Sequence, residues 1–130
     1  MAGEKLSVKA IETVEFLDYI ISQCGHLAGD VEQFAAAKKS AQADFLRQGI
    51  ARELGHLRQR ALQRNLGVLA DEIGRFAVQA GGGGSQQMKT RVLRDGMAAL
   101  RAACERMRKS TIDADVAAHR AGTAPGEGDA

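Results

Sequence analysis

The run Arg52-Glu53-Leu54-Gly55-His56-Leu57-Arg58-Gln59-Arg60-Ala61-Leu62-Gln63-Arg64-Asn65-Leu66-Gly67 decides how this chain folds. Into it lead Leu46, Ile50, Leu54, Leu57 and Ala61, recurring every three or four residues, the period of a helix with one packed side. Out of it run Leu62, Leu66, Leu69, Ile73, Phe76 and Ala80 with the same spacing in a different phase. The phase changes beside Asn65-Leu66-Gly67, where Asn and Gly tolerate a left-handed backbone. The spacing predicts one helix ending there and another beginning. A single helix with a wide apolar face is the alternative.

Upstream, the pattern predicts a long helix over 30–64. Asp30 is a candidate cap, the Ala-rich stretch favours helix, and Val31, Phe34, Ala41 and Phe45 form the first part of the seam. Gly49 and Gly55 interrupt it at about 1 kcal/mol each relative to Ala. Their missing side chains leave open surface for a neighbouring helix or a partner protein. Before that, Val8, Ile11, Val14, Leu17, Ile21 and Cys24 recur at helical spacing behind Ser7, a good N-cap. Phe16 and Ile20 widen the stripe, and Glu12, Glu15 and Asp18 form the wet face. This predicts a first helix over 7–24, stopped by Gly25, with Gly25-His26-Leu27-Ala28-Gly29 as the connection.

Downstream, a helix over 68–80 runs into Gly81-Gly82-Gly83-Gly84-Ser85, a composition shared by engineered linkers and natural Gly-rich loops. Its spacing fits no phosphate-cradling motif. Ser85 is placed to cap a helix over 85–109, with Leu93, Met97, Leu100, Cys104 and Met107 as a heptad seam extended by Met88 and Val92. Arg106, Arg108 and Lys109 suit its C-terminal dipole. From Ser110 the character changes. Thr111-Ile112-Asp113-Ala114-Asp115 opens a short helix through Arg120, and the rest reads as disordered. The expected fold is all-α, an antiparallel four-helix bundle over 1–109 with a flexible, disordered C-terminal tail over 110–130. The seams leave a homodimer open.

Composition narrows the function classes. The chain has 130 residues, 45% apolar and only 4% aromatic, without Trp. One domain with an aliphatic core is expected, and base stacking on an aromatic platform is not. Cys24 and Cys104 belong to no CxxC pair and read as buried thiols of a cytoplasmic protein. Acids throughout the first 24 residues exclude a signal peptide, and no run approaches a membrane span. Net charge is +2 but uneven: −3 over 1–46, +8 over 47–109 and −3 over 110–130. A basic middle favours an acidic partner. Nucleic-acid binding through the Arg-rich helices is a further alternative, opposed by the acidic ends and the lack of a helix-turn-helix.

No catalytic constellation is visible. There is no HExxH, no second ExxH to pair with Glu53-Leu54-Gly55-His56, and no GxSxG elbow. Cys24 and His26 lack further ligands for a metal, and no cofactor is expected. His56 stands apart. Its helical neighbours are Arg52, Glu53, Gln59, Arg60 and Gln63, none apolar. It should therefore be exposed, with Gly55 leaving room for approach. A free neutral imidazole is a competent nucleophile, and Arg52 and Arg60 would stabilise an added phosphoryl group.

On these residues, 7–109 resembles a histidine-containing phosphotransfer domain. That family is a four-helix bundle with an exposed histidine in a pattern close to H-x-L-K-G-S-x-x-x-L-G. The Asn65-Leu66-Gly67 ending matches, and Leu69-Ala70-Asp71-Glu72-Ile73 resembles the helix that follows. Counted back from Asn65, Arg60 takes the Lys position, Ala61 the Gly position and Leu57 that of the histidine. Counted forward from His56, Gln59 and Arg60 replace Lys and Gly. The resemblance implies His56 as phospho-acceptor, with response-regulator receiver domains as partners. Beside it stands the expectation of a non-catalytic, cytoplasmic interaction module in signalling, with Arg52, Gln59, Arg60 and Gln63 in the contact.

Overall fold

Asn65 is the one non-glycine residue with positive φ among the described residues, at 61°, and it makes the turn that the phase change predicted. Its N–H donates to the Leu62 carbonyl at 3.0 Å, and the Leu66 N–H donates back to the Ala61 carbonyl at 2.9 Å. This is a Schellman closure, in which a left-handed residue satisfies the last carbonyls of a helix. The computed structural model describes residues 6–122. Among these, four helices follow one another: α1 Val8–Ala36, α2 Ser40–Gln63, α3 Gly67–Gly81 and α4 Gln86–Gly122.

Cross-contacts set the directions. Arg108 meets Asp18 and Arg94 meets Glu32 between α4 and α1. Arg60 lies over Tyr19 between α2 and α1. Arg47 donates to the Gly81 carbonyl between α2 and α3, and Lys89 of α4 donates to Gln79 of α3. Between α1 and α4 one number rises as the other falls, and the sequential pairs turn back on one another through short connections, so neighbouring helices run antiparallel. α1 packs mainly along α4 and α2 mainly along α3. The all-α antiparallel four-helix fold stands, and no described helix is long and apolar enough to cross a membrane.

The core is aliphatic. Leu17, Ile20, Ile50, Leu54, Leu69, Ile73 and Leu93 are fully buried, with Met97, Leu100 and both cysteines beside them. Cys24 and Cys104 are free thiols. Burial pushes Cys24 up to about 11 and Cys104 up to about 12.

Helix boundaries differ from expectation in three places. First, α1 does not stop at Gly25 but runs through Gly29 to Ala36. Both glycines sit on the exposed side with open space around them. They cost about 1 kcal/mol each. Continuing the helix buries Leu27, Val31 and Phe34, each worth about 1.5–3 kcal/mol, so burial wins. Asp30 is therefore mid-helix rather than a cap.

Second, the α1–α2 break falls at Ala37-Lys38-Lys39. The Gln86 side chain donates to the carbonyls of Phe34 at 2.6 Å, Ala35 at 3.3 Å and Ala37 at 2.8 Å. The break moves Val31 and Phe34 onto α1, and leaves Ala41 and Phe45 exposed rather than in a seam, Phe45 by 72%.

Third, α4 continues past Lys109 to Gly122, held to α1 by Asp115, whose carboxylate accepts from the Ser7 N–H and hydroxyl, both at 2.8 Å. The part of the predicted tail over 123–130 lies outside the described residues. Val8, Ile11, Leu62 and Met88 are exposed rather than packed. The N-caps at Ser7 and Ser85 are present, accepting from Ala10 and Met88.

Candidate functional site

Leu54, Leu57 and Ala61 turn into the core, so the 3.6-residue period of α2 carries Arg52, His56, Gln59 and Gln63 to its outer side. All four are exposed. Continued toward the start of the helix, the same ladder reaches Gly49 and Phe45. Steps of four and three residues thus put Phe45, Gly49, Arg52, His56, Gln59 and Gln63 on one straight face. A Cβ added at Gly49 or Gly55 would meet nothing within 4 Å. The surface there is open, and no neighbouring helix fills it.

The His56 side chain is 64% exposed, and its Nδ1 lies 3.1 Å from Glu53 Oε2. With Glu53 as acceptor, Nδ1 carries the proton and Nε2 keeps a free lone pair toward solvent. Arg52 makes no ion pair among the described residues. Arg60 is placed differently from the others. It points across to α1, where its Cζ lies 5.2 Å from the centre of the Tyr19 ring. Gln63 borders the same cleft between α1 and α2. The structure thus brings Arg52, His56, Gln59 and Gln63 together on the outer face and sends Arg60 to its edge.

Sequence reasoning missed four participants. Glu53 is a helical neighbour of His56, but its hydrogen bond was not foreseen. Tyr19 and Arg64 enter through packing between α1 and α2, which local spacing does not encode. Phe45 was assigned to a buried seam. Of the Cys24 and His26 pair, Cys24 is in the core and His26 is exposed, which puts them on different faces of α1. Among the described residues no group of three or more His, Cys, Asp or Glu side chains is placed to hold a metal.

The arrangement offers one accessible nucleophilic nitrogen, a cation four residues from it and an exposed aromatic ring further along, on a rigid helix. Compared with family models, with curated proteins and with solved structures, the chain matches none.

Proposed function

We propose that this chain is a non-catalytic docking module of cytoplasmic signalling, meeting an acidic partner protein with the outer face of α2. The observation that carries this reading is the ladder from Phe45 to Gln63. It combines an aromatic anchor exposed by 72%, an open glycine notch and an Arg52 without an ion pair among the described residues on one helix. Exposed aromatics and arginines are the residues that concentrate binding energy at protein contacts. Open glycines let a partner's backbone approach closely. The basic 47–109 segment favours a partner surface of opposite charge.

The test is a titration of the isotope-labelled protein with isolated receiver domains, followed by NMR. Shifts along Phe45, Gly49, Arg52 and His56, lost in Phe45→Ala and Arg52→Glu, support the reading. Shifts confined to α1 and α4, or none, refute it.

A second reading has its own observation, the Nδ1–Glu53 contact that leaves Nε2 free. In it His56 carries a phosphoryl group. The Nε2 lone pair attacks the phosphorus of an aspartyl phosphate on a receiver domain, the P–O bond breaks and the aspartate leaves as carboxylate. Arg52 supplies positive charge beside the phosphoryl oxygens. Acid-labile label transferred to the wild type and lost in His56→Gln supports this reading. No transfer to a folded wild type refutes it for the donors tried.

A further inference from the structure

Between the first half of α1 and the end of α2 lies an open cleft of about 460 Å³, lined by Glu15, Phe16, Tyr19, Arg60, Gln63 and Arg64. Two arginines four residues apart, Arg60 in the last turn of α2 and Arg64 at its C-cap, lie over two rings one turn apart on α1. Arg60 Cζ is 5.2 Å from the Tyr19 centroid and Arg64 Cζ is 5.3 Å from that of Phe16. The two rings are themselves stacked, with centroids 6.3 Å apart.

A guanidinium held over a ring by cation–π attraction still has its N–H donors to offer an acceptor. The ring also restrains the long side chain, so less freedom is lost when a ligand binds. Neither Arg60 nor Arg64 makes an ion pair among the described residues. Two restrained cationic groups therefore border one cleft without an ion-pair partner among the described residues.

We propose that this cleft is a carboxylate-binding subsite that takes an Asp or Glu side chain from an acidic segment of a partner protein. The forks of Arg60 and Arg64 give charge-assisted, paired N–H···O bonds to the carboxylate. Glu15 sets the preferred charge. With two guanidiniums and one carboxylate the cleft keeps one positive charge, which a single carboxylate neutralises. A dianionic phosphoryl group would leave excess negative charge beside Glu15. Gln63 belongs both to this cleft and to the outer ladder of α2, so one partner can span the two. The inference rests on the docking reading only for which molecule presents the carboxylate.

The experiment titrates the full-length labelled protein with an oligoglutamate peptide at low salt, observing the arginine Nε–H signals. The Arg60 and Arg64 signals should move. Arg60→Gln and Arg64→Gln should each weaken binding roughly tenfold, the scale of one lost charge-assisted bond. Glu15→Gln should tighten it, and Arg106→Gln on α4 should leave it as in the wild type. Binding unchanged in both cleft variants, or shifts confined to other arginines, overturns the proposal. Tighter binding of inorganic phosphate than of the peptide overturns the choice of carboxylate. Peptide binding that persists when receiver domains fail to dock at Phe45 and Arg52 upholds the subsite and refutes the docking reading alone.

Discussion

The Phe76 ring of α3 lies directly against the backbone of Gly96 in α4, where a Cβ would come within 2.6 Å of three of its ring carbons. α3 and α4 approach as they do because residue 96 has no side chain. Gly96→Ala should therefore destabilise the fold. Overpacking costs about 1–3 kcal/mol, against about 1 kcal/mol gained from helix propensity. Gly25→Ala has the same gain with open space around it. In urea unfolding, its midpoint should rise while that of Gly96→Ala falls. Equal shifts for the two would refute this account.

Gln86 closes the end of α1 from another helix. Removing its side chain leaves three carbonyl contacts unmade. In Gln86→Ala a loss of about 1–2 kcal/mol is expected, because water can reach part of the site. Amide exchange should quicken first around residues 33–39, at the α1–α2 break. Unchanged protection there would remove Gln86 as the cap.

The Ser7 N–H and hydroxyl hold the Asp115 carboxyl below its ordinary range. A carboxyl lowered in the folded state gives stability that is present above its unfolded value, about 3.9. That stability is lost as pH falls through the lower folded value. Acidification below about pH 4 should loosen the end of α4 from α1. An NMR titration of the Asp115 carboxyl carbon should give a midpoint below the ordinary aspartate value. Ser7→Ala should raise that midpoint. A midpoint unmoved by the substitution would remove the Ser7 hydroxyl as a cause and leave its N–H.

Burial keeps the thiols of Cys24 and Cys104 protonated well above the ordinary thiol value. The unfolded chain loses those protons at lower pH than the folded chain does. Stability from this source is thus full below about pH 8.5 and declines as pH rises beyond it. The urea midpoint should fall between pH 8 and pH 10, with a shallower slope in Cys104→Ala. Thiol reagents should label the folded protein slowly and the unfolded chain at both sites.

What could be read from the sequence was local. The turn at Asn65 announced itself by a change of phase together with a residue suited to φ > 0. The caps at Ser7 and Ser85 and the seam from Leu93 to Cys104 were legible for the same reason. The end of α1 was not, because Gly25 and Gly29 signal a stop locally while Leu27, Val31 and Phe34 continue the buried stripe. Resolving that conflict needs the partner helix. Past Lys109, α4 is held by Ser7, 108 residues from Asp115 in sequence. At the candidate site, the exposure of His56 followed from its polar neighbours. The rings beneath Arg60 and Arg64 belong to another helix, and no spacing rule on α2 reveals them.

The helices also have unequal lengths, 29 and 37 residues for α1 and α4 against 24 and 15 for α2 and α3. At about 1.5 Å per residue, α4 spans about 55 Å and α3 only about 22 Å. α2 ends level with Phe16, where Arg64 lies over its ring. Beyond that level the cross-section thins from four helices to two, joined at Ser7 and Asp115. Heat should thus melt the molecule as a front rather than all at once. The far end of the α1–α4 pair would dissolve first, while the α2 face stayed presented to whatever it meets.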